Sequence, residues 1–265
     1  MKVELVAYTQ MLGENKNPLS VCERAASVCY NSRPTSIFAI AKACKKSGHM
    51  SVLEHINFTF HITGVSRALL AQLSRHRHIS MSVRSQRYCN EGLFAAVYPK
   101  SVYAVEGDDW GMYDEALENA NRAYRELIEK GVPAEDARMV LPNACFTELY
   151  MTANARSLIE MSRIRLCTRA QWEIRDMFKA IKAAVEPVCP EVAGWMRPKC
   201  EEDPEHPFCT EEKCCGRHPK LESVCQIGRC KNCKNASKHG ENMMTCNIFE
   251  RDLRPDDFCS QFEQK

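Results

Sequence analysis

Hydrophobic positions in the first fifty residues follow two patterns in turn. Residues 3–7, apolar except for Glu4, predict a short strand, and apolar residues at helical spacing from 18 to 30 predict a first helix. Ser36 is placed to cap a second helix, and Gly48 is placed to end it. The start of the chain is therefore predicted to be one strand followed by two helices.

A change to a period of two begins at His55. Residues on one side of this segment are apolar and those on the other side are polar, which predicts a half-buried strand. Gly64 is predicted to end the strand, and apolar residues at helical spacing after it predict a helix that runs into Arg75. The apolar side of the strand consists of Ile56, Phe58, Phe60 and Ile62.

Helical patterns dominate the second half of the chain. Asp109 is predicted to open a long amphipathic helix that ends at Gly131, after an irregular segment from 92 to 108. Strands and helices do not alternate as regular βαβ units, so the fold class is predicted to be α+β, with a central, mostly antiparallel twisted sheet flanked by helices. The remaining predicted elements are a short helix from Pro133, a strand over 145–153, and helices over 154–166 and 170–185.

Positive charge is concentrated in the segment from 75 to 88, which holds four arginines, two histidines and three serines in fourteen residues. The planar guanidinium matches phosphate and carboxylate oxygens in pairs, so this segment is predicted to bind an anion. Taken alone, such a run is more often a solvated basic face or a nucleic-acid patch.

Overall composition argues against a general affinity for polyanions. The 265 residues carry a net charge of +2, from 36 basic and 34 acidic side chains, so any basic function has to be local. The first eight residues are too short and too charged for a signal segment, and no stretch approaches eighteen apolar residues. We therefore expect a soluble cytoplasmic protein without a membrane partner, and we do not expect nucleic acid as its ligand.

Four sequence blocks occur in an order that points to one enzyme family. In the second block, Arg75-His76-Arg77 is followed after seven residues by Ser85-x-Arg87-Tyr88. The other blocks cover 48–55, 138–142 and 154–173. Together they resemble the flavin-dependent thymidylate synthases, and the resemblance extends over residues 1–199.

The resemblance implies an activity and a set of cofactors. Members of this family make dTMP from dUMP, with methylenetetrahydrofolate as the carbon donor and NADPH-reduced FAD as the hydride carrier, and they work as homotetramers. By the same resemblance, the flavin-binding residues are His49, Ser51, Arg75, His76, Arg77, Val83, Asn154, Arg156 and Glu160. The residues expected to bind dUMP are Gln72, Arg75, Arg84, Ser85, Gln86, Arg87, Arg138 and Arg165.

Arg165 is the predicted catalytic residue. A guanidinium beside the pyrimidine would stabilise the negative charge that makes C5 nucleophilic, without a covalent enzyme adduct. A surface salt bridge is the alternative role for this arginine. Cysteines near the blocks could supply a nucleophile, but buried structural cysteine is the commoner case. These cysteines are Cys89, Cys145 and Cys167.

Two positions depart from the family pattern. Val83 stands where the family usually carries a Glu or Gln, so only a backbone contact is expected there. Glu160 brings an acidic charge to a variable position that lines the flavin pocket, which puts a direct contact in doubt.

Cysteine usage separates a C-terminal segment, residues 200–265, from the rest. Seven of the sixteen cysteines lie in the first 199 residues and nine in the last 66. The segment has little apolar periodicity, so it cannot fold on a hydrophobic core of its own. The predicted structural zinc ligands are Cys230, Cys233, Cys246 and Cys259. Cysteines and histidines between 200 and 225 could form a second site, and a reduced tail without structure is the alternative.

Three functions therefore stay open from the sequence. The synthase explains all four blocks. A zinc-containing nucleic-acid-binding protein would explain the tail and the arginine run, but it leaves the blocks at 138 and 154 without a reason. A flavin- or nucleotide-binding homologue without synthase activity would explain every block if the change at Val83 is fatal to catalysis.

Overall fold

The computed structural model describes residues 1–13, 16–33, 36–104, 110–204, 207–220, 236–238, 244–246 and 251–253. The chain divides into two compact units, Met1–Met196 and Arg197–Lys265. The first unit is built around a four-stranded antiparallel sheet, and a three-stranded antiparallel sheet belongs to the second. Helices flank the larger sheet, so the predicted α+β class with a mostly antiparallel sheet is confirmed.

The strands are β1 (Lys2–Tyr8), β2 (Asn57–Ser66), β3 (Ile79–Val83), β4 (Phe146–Asn154), β5 (Ala236–Lys238), β6 (Met244–Cys246) and β7 (Arg251–Leu253). The helices are α1 (Leu19–Tyr30), α2 (Ala39–Lys46), α3 (Arg67–Leu73), α4 (Lys100–Tyr103), α5 (Trp110–Glu129), α6 (Ala134–Ala137), α7 (Ala155–Arg165), α8 (Trp172–Val185) and α9 (Pro190–Trp195). Short 3₁₀ helices cover Met50–His55, Arg138–Val140 and Lys199–Glu201. In the described residues no helix combines the length and the apolar character needed to cross a bilayer.

One face of the larger sheet forms the core of the first unit. The strand order is β1-β2-β4-β3, and the predicted alternation places three apolar side chains of β2, and Ile56 directly before it, in the interior, fully buried. Helix α8 packs its apolar stripe into the same core. Each fully buried side chain of this kind contributes about 1.5–3 kcal/mol to folding. The opposite face of β2 carries the polar residues, as the period of two requires.

Gly64 does not end the second strand, as the sequence had suggested. The strand runs on to Ser66, and its register with β4 shifts between Thr63 and Val65. Gly64 lies at this bulge with φ of 67°, and a Cβ there would come within 3.2 Å of the Met1 backbone nitrogen. Glycine therefore permits a bulge inside the strand, and the predicted break was wrong.

The second helix also begins differently from the prediction. It starts at Ala39, and its N-cap is Phe38, whose backbone is left-handed and whose side chain makes no capping hydrogen bond. Ser36 contributes only its carbonyl, which accepts from the Ala39 N–H at 3.2 Å. The predicted Ser36 cap was therefore wrong. Asp109, the predicted start of the long helix, lies outside the described residues, whereas the irregular segment before it contains α4.

A buried carboxylate fixes the start of α3, the helix that leads into the arginine-rich segment. Glu173, near the start of α8, is only 3% exposed. Its two oxygens accept from the Ser66 backbone N–H at 2.7 Å and from the Ser66 hydroxyl at 2.5 Å. The Ser66 oxygen in turn caps α3 by accepting from the Leu69 N–H at 3.0 Å. This chain of hydrogen bonds sets the position from which α3 runs.

Candidate functional site

The arginine-rich segment leaves α3 and returns as β3, the outer strand of the sheet. Helix α3 has seven residues, so its two ends are about 10 Å apart. At its start, Arg67 donates from Nη2 to the Arg84 carbonyl at 2.7 Å, which ties the helix to the far end of β3. The turn between helix and strand contains His78, whose φ of 58° is unusual for a residue other than glycine.

The first cluster of predicted site residues lies at the C-terminal end of α3. The Nε of Arg165 donates to Nε2 of His76 at 2.8 Å, and its Nη2 donates to the Gln72 carbonyl at 3.1 Å. The last carbonyls of a helix lack intrahelical partners and carry partial negative charge, so they favour a cation here. Burial, and after it the charge of Arg75, lowers the pKa of Arg165 below its usual value. Arg165 is therefore a half-buried cation held in a fixed orientation.

His76 accepts this hydrogen bond only when its Nε2 carries no proton. Burial, followed by the charge of Arg165, lowers the pKa of His76 from its ordinary 6.5. The neutral imidazole is thus favoured, with its remaining proton on Nδ1. In this pair Arg165 is the donor and His76 is the acceptor.

Acid is expected to destabilise the folded chain through His76. Its pKa is lower when folded than when unfolded, so the unfolded chain takes up the proton first as the pH falls. The stabilising contribution is complete above about pH 6.5 and is lost below it. Urea unfolding of wild type and of His76→Gln measures this loss of stability. The glutamine amide oxygen of the variant can still accept from Arg165. The loss of stability between about pH 7.5 and 5.5 should be smaller in the variant. Equal losses would exclude His76 as the responsible group.

A second cluster, of arginines and acidic partners, lies at the other end of α3. The Nε of Arg84 donates to Glu91 at 3.0 Å, and Glu91 is 8% exposed. Burial is the main cause that lowers the pKa of Arg67, and the charges of Arg138 and Arg84 act in the same direction. Arg138 itself donates from Nε to the Glu135 carbonyl at 3.0 Å. Three guanidiniums thus lie close enough together to attract an anion.

Arg87 is held beside this second cluster by an exposed carboxylate. Its Nε and Nη2 both donate to one oxygen of Glu135, at 2.8 and 2.7 Å. Both side chains are about half exposed, and such surface pairs contribute at most about 1 kcal/mol. A phosphate can displace Glu135 at low cost. Ser85 accepts the Arg87 backbone N–H at 3.2 Å, so the two predicted phosphate-binding residues lie in one turn, and Gln86 lies between them.

Val83 is the last residue of β3. Its side chain packs against the core, and its strand pairs with β4 opposite Leu149. A contact between Val83 and a flavin through the backbone alone stays a prediction.

The other predicted flavin residues gather around the start of α7. Asn154 caps this helix by accepting from the Ser157 N–H at 2.8 Å, and the Ser157 hydroxyl donates to the His78 carbonyl at 3.3 Å. The helix packs against the 3₁₀ helix that follows His49 and contains Ser51. Two blocks that are far apart in sequence therefore meet next to the Arg75-His76-Arg77 triplet.

Arg156 is engaged by two carboxylates in this region. It donates to Glu160 at 2.8 Å and to Glu54 at 2.7 Å, and these hydrogen bonds are the largest causes that raise its pKa. The acidic charge that Glu160 brings is thus compensated within the chain. Glu54 was not predicted as a partner of Arg156, because the two residues lie 102 positions apart in the sequence.

Cys145, one of the three cysteines considered as a nucleophile, does not suit that role. Cys145 is buried, and burial is the main cause that raises the pKa of its thiol to about 12. At that value the thiol is protonated and unreactive at neutral pH. Cys145 therefore has the structural role that was the commoner alternative.

Two cavities of the first unit lie away from the predicted site residues. One, of about 460 Å³, is lined by Asn90, Gly92, Leu93, Arg125, Ile128 and Glu129. The other, of about 350 Å³, is lined by residues of α1 and of the segment before α2. In contrast, Arg75, Arg77 and Arg87 lie exposed on the surface of the single chain. The structure thus brings the predicted residues into neighbouring groups and leaves several of them open to solvent.

Of the predicted zinc ligands of the tail, Cys230, Cys233 and Cys259 lie outside the described residues, and Cys246 lies on β6.

Comparison with known proteins points to one family. The family model described as thymidylate synthase complementing protein matches residues 4–191. The flavin-dependent thymidylate synthase of Geobacter sulfurreducens is 39% identical, over 76% of this chain and 88% of the relative. The enzyme of the same name from Clostridium tetani is 35% identical, with the same two coverages.

Solved structures give the same result. A Helicobacter pylori flavin-dependent thymidylate synthase, ThyX, in complex with FAD and dUMP, is 28% identical, with a TM-score of 0.53 over 69% of this chain and 93% of that chain. A second ThyX structure from the same organism, also with FAD and dUMP, is 26% identical, with a TM-score of 0.57 over 73% and 99%. The family match ends before the cysteine-rich segment begins.

Proposed function

The chain belongs to the family of flavin-dependent thymidylate synthases, and on this premise we propose that it makes dTMP from dUMP by reductive methylation. Methylenetetrahydrofolate supplies the carbon, and NADPH supplies the electrons through FAD. The observation that carries the proposal is the hydrogen-bonded group of Arg165, His76 and Gln72. It brings together His76 and Arg165, which belong to two sequence blocks and lie 89 residues apart, and it orients the guanidinium.

The donor set around the start of α7 fits an FAD. Arg75 and Arg77 offer exposed cations that suit a pyrophosphate, and Ser51 and Asn154 offer hydroxyl and amide groups. When bound, the flavin supplies the hydride chemistry. The residues of the chain hold and orient it, and the carboxylates of Glu54 and Glu160 keep Arg156 in one conformation at the edge of this site.

The second cluster is suited to the phosphate of dUMP. A phosphate dianion taken out of water needs compensating charge, and Arg87 and Arg138 supply it together with the Ser85 hydroxyl. Arg87 exchanges its weak pair with Glu135 for the phosphate. These residues bind and position the nucleotide but take no part in bond formation.

Arg165 is the residue assigned to the pyrimidine. Its guanidinium stabilises negative charge on the ring while C5 attacks the one-carbon unit. Because His76 and Gln72 already fix its orientation, little reorganisation is needed during the reaction. Partial burial strengthens the interaction, since water screens the charge less than at an open surface.

We further propose that neighbouring subunits complete the site, in a homotetramer. The two clusters lie at opposite ends of α3, about 10 Å apart, and several of their arginines are exposed on the single chain. A second copy of the chain can bring its phosphate-binding cluster against the Arg165 cluster of the first. In such an arrangement the exposed arginines surround one nucleotide and are no longer open to solvent.

Anaerobic half-reactions test the proposed function. NADPH should bleach the flavin of the purified chain, and dUMP with methylenetetrahydrofolate should restore the colour and yield dTMP, identified by mass spectrometry. Omission of dUMP is the control and should give no product. A flavin that is reduced and reoxidised without dTMP would favour the homologue without synthase activity. Protein that binds no flavin at all would remove the assignment.

A further inference from the structure

Metal-ligating side chains come together in the cysteine-rich unit, well before the predicted zinc ligands. The ligand atoms of Cys200, Glu201 and His218 all lie within 4.8 Å of one another. In a tetrahedral zinc site with bonds of about 2.0–2.3 Å, neighbouring ligand atoms are about 3.3–3.8 Å apart. Small side-chain movements would therefore bring these residues to bonding distance.

Two further thiols lie in turns that suit metal-bound sulfur. The Cys209 thiol accepts a hydrogen bond from the backbone of Glu211, and Cys214 accepts one from the Gly216 N–H at 3.4 Å. In both turns the donor lies two residues after the cysteine. Backbone N–H groups of this kind also serve as outer-shell partners that orient a metal-bound sulfur. Gly216 has φ of 83°, which glycine adopts without strain.

The two thiols belong to the same region as the histidine. Cys209 and Cys214 contact each other through their side chains, and Cys209 is only 8% exposed. The Cys214 sulfur lies 3.2 Å from the His218 carbonyl oxygen. The loop from 209 to 218 thus folds back so that the two sulfurs lie together, with that of Cys214 beside the backbone carbonyl of His218.

We propose that Cys200, Cys209, Cys214 and His218 bind one structural zinc ion. Three thiolates and one imidazole are a donor set typical of closed, four-coordinate zinc sites. Glu201 supports the site from outside the metal, because its carboxylate accepts from His218 Nε2 at 3.2 Å and from Arg217 Nη1 at 3.1 Å. His218 then binds through Nδ1, an arrangement common among metal-binding histidines.

Zinc would explain how this part of the chain folds. Among the residues of the second unit whose burial is described, only Pro198 and Cys209 are buried. Metal binding supplies folding free energy where a hydrophobic core is absent. The site is separate from the synthase chemistry and uses none of the four cysteines that the sequence had singled out.

Zinc content of the full-length chain and its variants tests the proposal. After loading with Zn²⁺ and removal of excess metal, Cys209→Ser, Cys214→Ser and His218→Ala should each contain one equivalent less than wild type. Cys215→Ser changes the adjacent thiol and Cys230→Ser removes a ligand of the earlier predicted set, so both should keep this equivalent. Unchanged flavin absorbance in all variants shows that the first unit remains folded.

X-ray absorption on zinc-loaded Cys230→Ser identifies the ligands independently of variant folding. We expect three sulfurs at about 2.3 Å and one nitrogen at about 2.0 Å. Four sulfurs, or no bound zinc in this variant, would overturn the proposal. Loss of the metal in Cys215→Ser with retention in Cys214→Ser would overturn it as well.

Discussion

Replacing Arg165 with alanine is expected to lower dTMP formation by about 10²–10³-fold, the usual cost of removing one oriented group that stabilises developing charge. The flavin should stay bound, because Arg165 is the last residue of α7 and contacts only one of the predicted flavin residues, His76, in the described hydrogen bonds. Turnover and flavin absorbance of the same preparation measure the two effects. A large fall in kcat with bound flavin is the signature of a residue that acts on the reacting ring.

Two matched variants sharpen this experiment. Arg165→Lys keeps the charge but loses the planar fork that bonds His76 and Gln72 together, so it should remain strongly impaired. Arg122→Ala removes an exposed arginine of α5 that bonds only locally to Asn119 in the described contacts, and it should leave turnover unchanged. Wild-type turnover in Arg165→Ala would show that this arginine has only a structural role and would contradict the proposed mechanism.

Replacing Glu173 with alanine is expected to lower the free energy of unfolding by about 2–5 kcal/mol, because two buried donors of Ser66 lose their acceptors. Urea unfolding measures this loss. Because Ser66 also caps α3, the helix should shift, and turnover should fall even where the protein remains folded.

An exposed carboxylate provides the control for that substitution. Glu126→Ala on the solvent side of α5 should change stability by less than about 0.5 kcal/mol. If Glu173→Ala unfolds at the same urea concentration as Glu126→Ala, the buried carboxylate has no role in fixing the start of α3.

The parts of the fold that local periodicity determines were predicted well. The first helix was expected to end near Tyr30 and does so, and the alternating segment forms β2 with its apolar side buried. Errors arose where a single residue supported two interpretations. Gly64 suits both a strand end and a bulge, and only the pairing of β2 with β4 selects the bulge. The five residues of β3 were missed because arginines and serines around them obscured a short strand.

The site residues also divide into those that the local sequence identifies and those that only the folded chain identifies. The motif blocks identified the arginines, since their spacing is a property of the sequence itself. Their acidic partners could not be predicted, because Glu54, Glu91 and Glu135 approach the arginines only after the chain has folded. The acceptor role of His76 is also invisible in the sequence, since it depends on burial and on a guanidinium 89 residues away.

Mixed oligomers test most directly whether the two clusters of cations form one nucleotide site. Arg165→Ala and Arg138→Ala, each impaired alone, are co-expressed with different tags and purified through both. If each site takes one cluster from each of two subunits, about a quarter of the sites in a random mixture contain both arginines and dTMP formation returns accordingly. Mixed oligomers as inactive as either parent would contradict a site shared between subunits.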